Sequence, residues 1–180
     1  MRFPGRSWWQ RLRHGRGFGV HSPSAYRYIR EVLCERYSYY AYEQIDAVAD
    51  SLPGGRSRAR MLLRVAIHAR QADIAVTGSP DVVRRVVAYA CPSACMHETI
   101  TPQSRLIVAY GDSFDVDAAM CCADAGATIV MPDVAHSSCA SELLRRLRSE
   151  LRTGHTFING KGVAVFVPSS APAQSFSVRF

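Results

Sequence analysis

DIAVTGSPDVVRRVVAYA, residues 73–90, decides how the chain is read. Ile74, Ala75 and Val76 make an apolar run of strand length, and Thr77-Gly78-Ser79 makes a tight turn. Ser79 is placed to cap a helix, with Pro80 at its first position, where a missing N–H costs nothing. Val82, Val83, Val86, Val87 and Ala90 then recur at helical spacing. A strand that feeds a helix through a Gly-containing turn opens an open α/β sheet. That turn is where such sheets bind nucleotides. One glycine is not a phosphate cradle, so the stretch speaks to fold before ligand.

Outward from this unit, the chain alternates. Upstream, Ser22-Pro23 starts a helix with Tyr26, Ile29, Val32, Leu33 and Tyr37 on its apolar face. A second helix is expected over Tyr40–Ser51, ended by Leu52-Pro53-Gly54-Gly55. A third starts near Ser57 and carries Met61, Leu62, Val65 and Ala66 inward. Downstream, Cys95–Thr101 holds a short strand, and Arg105–Tyr110 is a buried one. A helix follows over Asp115–Ala125, stopped by Gly126. Ala127–Met131 is the next strand, and Ser137 or Ser138 caps a helix to Arg152. His155–Ile158 and Gly162–Val167 pair around Asn159-Gly160, a favoured hairpin dipeptide. Ser175–Phe180 alternates like a last strand.

This order predicts an α/β fold: a mainly parallel Rossmann-like sheet with an antiparallel C-terminal hairpin, preceded by N-terminal helices. The 180 residues divide into a basic arm (1–21), N-terminal helices (22–70) and an α/β core (71–180) of one domain. Net charge is +7, and residues 1–30 hold seven arginines and no acid, so the excess sits on the arm. Residues 1–19 also hold Trp8, Trp9 and Phe18. Arginine interleaved with aromatics suits nucleic acid or another anionic surface. The plainer reading is an arm that packs its tryptophans on its own domain. No apolar run reaches the ~20 residues of a membrane span, and no continuous apolar stretch marks a secretory signal. The 6 cysteines lack disulfide-framework spacing, which makes a reducing cytoplasm the expected location.

Arg13–Ile29, RHGRGFGVHSPSAYRYI, closely resembles the opening of a Bacteroidetes-type family described as class I SAM-dependent methyltransferase-like. The likeness continues weakly through 39–43, 61–66, 132–137 and 176–180. Such methyltransferases finish their sheet with an antiparallel hairpin. The resemblance implies S-adenosyl-L-methionine (SAM) at the carboxyl end of the first strand, held by Thr77, Gly78 and Ser79. Glu98 is the nearest candidate for the ribose, and Asp112 stands displaced where an Asp-Gly is expected. Asp133 and His136 lie where the methyl acceptor would react. The chain departs from the pattern. Ala75 and Thr77 replace the usual acid, Gly78 stands alone, and the segment between Thr101 and Arg105 is short by a helix and a strand. Two readings stay open: a SAM-dependent methyltransferase of unknown acceptor with an eroded cofactor site, and a non-catalytic, methyltransferase-like binding module that uses its basic arm.

Other constellations carry less. Cys91, Cys95 and His97 lack a common zinc spacing and a fourth ligand, so no metal is expected. His21 either faces the pocket or fixes the turn. Cys139 lies in a helix's first turn, which lowers a thiol pKa, but has no evident base. Asp112, Asp115 and Asp117 surround a helix start, where acids belong anyway.

Overall fold

The computed structural model describes residues 20–52, 54–160 and 162–180. The basic arm, residues 1–19, lies outside the described residues.

Seven strands form one sheet in the order β2-β1-β3-β4-β6-β5-β7. They are β1 (Asp73–Thr77), β2 (Cys95–His97), β3 (Leu106–Ala109), β4 (Thr128–Met131), β5 (Thr153–Asn159), β6 (Val163–Pro172) and β7 (Gln174–Ser177). The first four run parallel. Strand β6 enters antiparallel to β4 and pairs antiparallel with β5, as the hairpin dipeptide predicts. The final strand lies parallel to β5 at the edge.

Alternation along the strands divides the core in two. On one face, Ile74, Val76, Leu106, Val108, Phe157 and Val165 pack against the N-terminal helices. That layer holds α1 (Pro23–Tyr28), α2 (Tyr42–Asp46), α3 (Gly55–Ala69) and α4 (Asp81–Ala90). On the other face, Ala75, Ile107, Ile129, Met131 and Phe166 meet α5 (Val116–Asp124) and α6 (Ser138–Ser149). A strand buried on both faces is apolar at nearly every position, which is why β3 and, after Thr128, β4 read as continuous runs.

The first helix starts as its sequence dictates. Ser22 accepts from the Ala25 N–H at 3.3 Å, and Pro23 occupies the first turn. It then widens into a π-helical turn, Ile29–Leu33, closed by the Cys34 N–H on the Ile29 carbonyl at 2.8 Å. The expected inward Tyr26 is 41% exposed and Tyr37 is 80% exposed, while Tyr28 is buried. Tyr28 stacks on Phe157 at 5.2 Å, and Phe157 on Phe176 at 5.6 Å. The helix is anchored to the sheet at His155, whose Nε2 lies 2.9 Å from Ser24 Oγ.

The second helix is shorter than expected: Tyr42–Asp46, then a separate turn at Ala49–Ser51. Arg60 holds Asp46 through two hydrogen bonds and lies over the Tyr42 ring at 4.6 Å. Helix α3 carries the least expected side chain. Arg64 is 9% exposed among Leu62, Leu63, Val65 and Ala66. Its guanidinium donates to the carbonyls of Val32 (2.7 Å) and Leu33 (2.9 Å) and to Tyr42 Oη (2.9 Å). Those carbonyls are the ones a helix end leaves without N–H partners. Arg64 thereby joins three elements.

Candidate functional site

Helix α4, after β1, packs on one face of the sheet, and α5, after β3, packs on the other. The carboxyl ends of β1 and β3 are therefore the point where the winding reverses, the place where open α/β sheets bind ligands. Here the two loops touch. Gly78 has φ +53°, and a Cβ on it would lie 2.6 Å from the Tyr110 carbonyl oxygen and 3.3 Å from Ser113 Oγ. Gly111 faces Gly78 from the other side with φ +71°. Glycine is required at Gly78 by both its left-handed backbone and the close approach of another backbone. Thr77 is buried, with its hydroxyl 3.5 Å from the Val108 carbonyl and 3.4 Å from the Tyr110 N–H.

The other expected cofactor residues are engaged in the fold. Glu98 follows β2 and pairs with Arg84 of α4 at 3.0 Å, leaving its own side chain 82% exposed. Asp112 caps α6 from a neighbouring loop: its Oδ1 accepts from the Cys139 N–H at 3.2 Å and from Ser138 Oγ at 3.1 Å. Those donors, the Cys139 N–H first, hold the Asp112 carboxyl below its ordinary range. Ser137 caps the same helix on the Ala140 N–H and donates to the Gly111 carbonyl at 2.6 Å. Cys139 lies against this loop, its thiol 3.3 Å from the Asp112 carbonyl.

Ser79 does not cap α4. Pro80, extended at ψ 150°, takes the capping position without a side-chain bond, and the helix begins at Asp81. The Ser79 hydroxyl is buried without a hydrogen-bond partner. Arg58 Nη1, from the first turns of α3, shares that condition. Arg58 reaches the same edge, because its charge opposes the upward push on the Tyr110 phenol. That push comes first from burial and then from Asp133. Asp133 Oδ1 and His136 Nδ1 stand 2.8 Å apart, with the imidazole 82% exposed. A carboxylate–imidazole pair is chemically able to move a proton. Here the imidazole faces water while the carboxylate is mostly covered, and the Val134 N–H next to it bonds the Gly162 carbonyl.

Asp133, His136 and Tyr110 thus share one edge with Arg58, Gly78 and Ser79, while Asp112 and Glu98 serve helices beside it. Sequence reading missed Arg58 and Arg64. The signal was present in RSRARMLLRVA, where Arg64 interrupts an apolar run and Arg60 lies one turn before it. The cysteines are all free thiols, and no cluster among the described residues is able to hold a metal. No described helix is long and apolar enough to cross a membrane. Searches with the chain match no protein-family model, no curated protein and no solved structure.

Proposed function

We propose that the chain is a methyltransferase-shaped binding module that no longer transfers methyl groups. The parallel strands closed by an antiparallel hairpin support the Rossmann-like, class I methyltransferase-type reading. The observation that carries the loss of chemistry is the contact between Gly78 and the Tyr110 carbonyl. The glycine that would let a cofactor approach the backbone admits another loop instead.

The residues present do not fit SAM. A ribose diol needs a carboxylate acceptor, and Glu98 is paired with Arg84. Asp112 is committed to α6. The buried unpartnered polar atoms at this edge are a hydroxyl and a guanidinium nitrogen, which carry no negative charge for a sulfonium or an ammonium, and the carboxylate of Asp133 is taken by His136. The basic arm, with its five arginines in residues 1–21, is the proposed contact for nucleic acid or an anionic surface.

Calorimetric titration of the full chain with SAM and S-adenosylhomocysteine tests the loss. No saturable heat at millimolar ligand is expected. Micromolar binding of either compound would restore the enzymatic reading and start the search for an acceptor.

A further inference from the structure

The surface of the N-terminal helical layer carries an open pocket of about 370 Å³ that is separate from the sheet edge. Its size is that of a small-molecule site. Val32, Ile67 and Tyr39 give it apolar and aromatic walls, and Arg64, Arg70 and His68 give it nitrogen. The π-helical turn supplies one side and α3 the other.

Arg64 makes this more than a packing gap. Its charge is buried, and its partners are two carbonyls and a phenol, all neutral. These use three of the five N–H donors that a guanidinium carries. Helix-end carbonyls compensate a cation with dipoles, but supply no counter-ion. The charge is felt nearby: Arg64 opposes the rise that burial imposes on both the Cys34 thiol and the Tyr39 phenol. A buried cation without an anion is costly, and breaking or completing such a pair has large effects.

A second arginine lines the same pocket. Arg70 ends α3 in the left-handed region at φ 47°, the only described non-glycine residue there. Glu31 is the single acid among the lining residues, and it forms no ion pair with Arg64 or Arg70. Glu35 accepts from the Tyr39 hydroxyl at 3.4 Å and is not part of the lining. Among the lining residues two arginines stand against one carboxylate, with Glu35 behind the Tyr39 hydroxyl.

We infer that this pocket binds a small organic monoanion: a carboxylate on a flat apolar body. The carboxylate meets the Arg64 and Arg70 guanidinium groups, which match its planar geometry. The body lies against Tyr39, Ile67 and Val32. The inference does not rest on the methyltransferase-type reading, since the pocket shares no residue with the sheet edge.

The test uses the full chain, with benzoate as probe and benzamide as its neutral counterpart, titrated by ligand-observed NMR at low salt. Benzoate is expected to bind saturably at submillimolar concentration and benzamide to fail. Arg70→Gln, on the rim of the layer, should weaken benzoate about tenfold or more, as loss of a charge-assisted bond implies. Glu31→Gln should tighten it, and Ile67→Trp should fill the space and abolish binding. Thermal unfolding of each variant verifies that it is folded. Absence of saturable benzoate binding to the unaltered chain would overturn the inference. Equal binding of benzamide would overturn it too, as would benzoate binding that Arg70→Gln leaves unchanged in a folded protein.

Discussion

Above the ends of β1 and β3, two loops meet backbone to backbone at Gly78 and Tyr110, whereas between the π-helical turn and α3 an open pocket remains beside Arg64. The first place is where the topology of an open sheet prepares a ligand site, and it is filled. The second is where no rule of topology asks for a site, and space remains. The difference teaches that winding order supplies an opportunity for binding, and side-chain size and charge decide whether it is kept. Glycine, which usually opens such a turn to a ligand, here lets protein in.

Removing Arg64 is the strongest way to break this contrast. Arg64→Met keeps the stem and deletes three buried hydrogen bonds, leaving two carbonyls and a phenol without donors. A loss of about 4 kcal/mol is expected from buried charge-assisted bonds, measured by urea unfolding. A neutral result would mean that the guanidinium is dispensable to the helical layer and that its burial is incidental. Gly78→Ala probes the other side. A left-handed alanine pressed to 2.6 Å from a carbonyl oxygen should cost about 2 kcal/mol. If the variant is as stable as the parent, the loops have room to part, and the sheet edge is open after all.

The smallest effect concerns the anchor between the layers. Burial holds the His155 imidazole below its ordinary value of about 6.5, so it stays neutral beside Ser24 in the folded chain. The unfolded chain takes up that proton first as pH falls. Stability from this group is therefore complete above about pH 6.5 and declines below it, with a slope of at most about 1.4 kcal/mol per pH unit. Denaturant midpoints between pH 7.5 and 5 read it directly, and His155→Gln should flatten the profile over that range. The lowered carboxyls, Asp46, Asp112 and Glu142, act only near and below their own ordinary range and do not confuse the window.

Much of this molecule is legible from its residues. The run Ile74–Val76, the valines of α4, the Ser22-Pro23 start and the Asn159-Gly160 hairpin all use local chemistry, and the fold respects each of them. Where local rules fail, a neighbour has intervened. Ser79 looked like a cap because Pro80 follows it, yet Pro80 itself fits the extended backbone before α4 and leaves the hydroxyl idle. Tyr26 lies just outside the stripe that Ala25, Tyr28, Ile29, Val32 and Leu33 bury at ordinary helical spacing, so Tyr28 is the tyrosine that faces the sheet. Glu98 and Asp112 sit near the positions expected of cofactor ligands, but Arg84 and the start of α6 reach them through space. Residues far apart in the chain compete for the same carboxylate, and spacing alone does not rank them. The parallel placement of β7 beside β5 is of the same kind, because alternation marks a strand without naming its partner.

The bond from Ser24 to His155 spans 131 positions, and Tyr28 waits for Phe157 at nearly the same reach. During synthesis the first described helix leaves the ribosome long before its docking surface exists. Tyr28, Ile29, Val32 and Leu33 must pass that interval against α3 alone or in the keeping of a chaperone. Contacts of such long separation also slow the search for the native pairing. A chain truncated before residue 153 would lose β5, β6 and β7 together with the seat of its own first helix, and its nascent form is the one most exposed to aggregation.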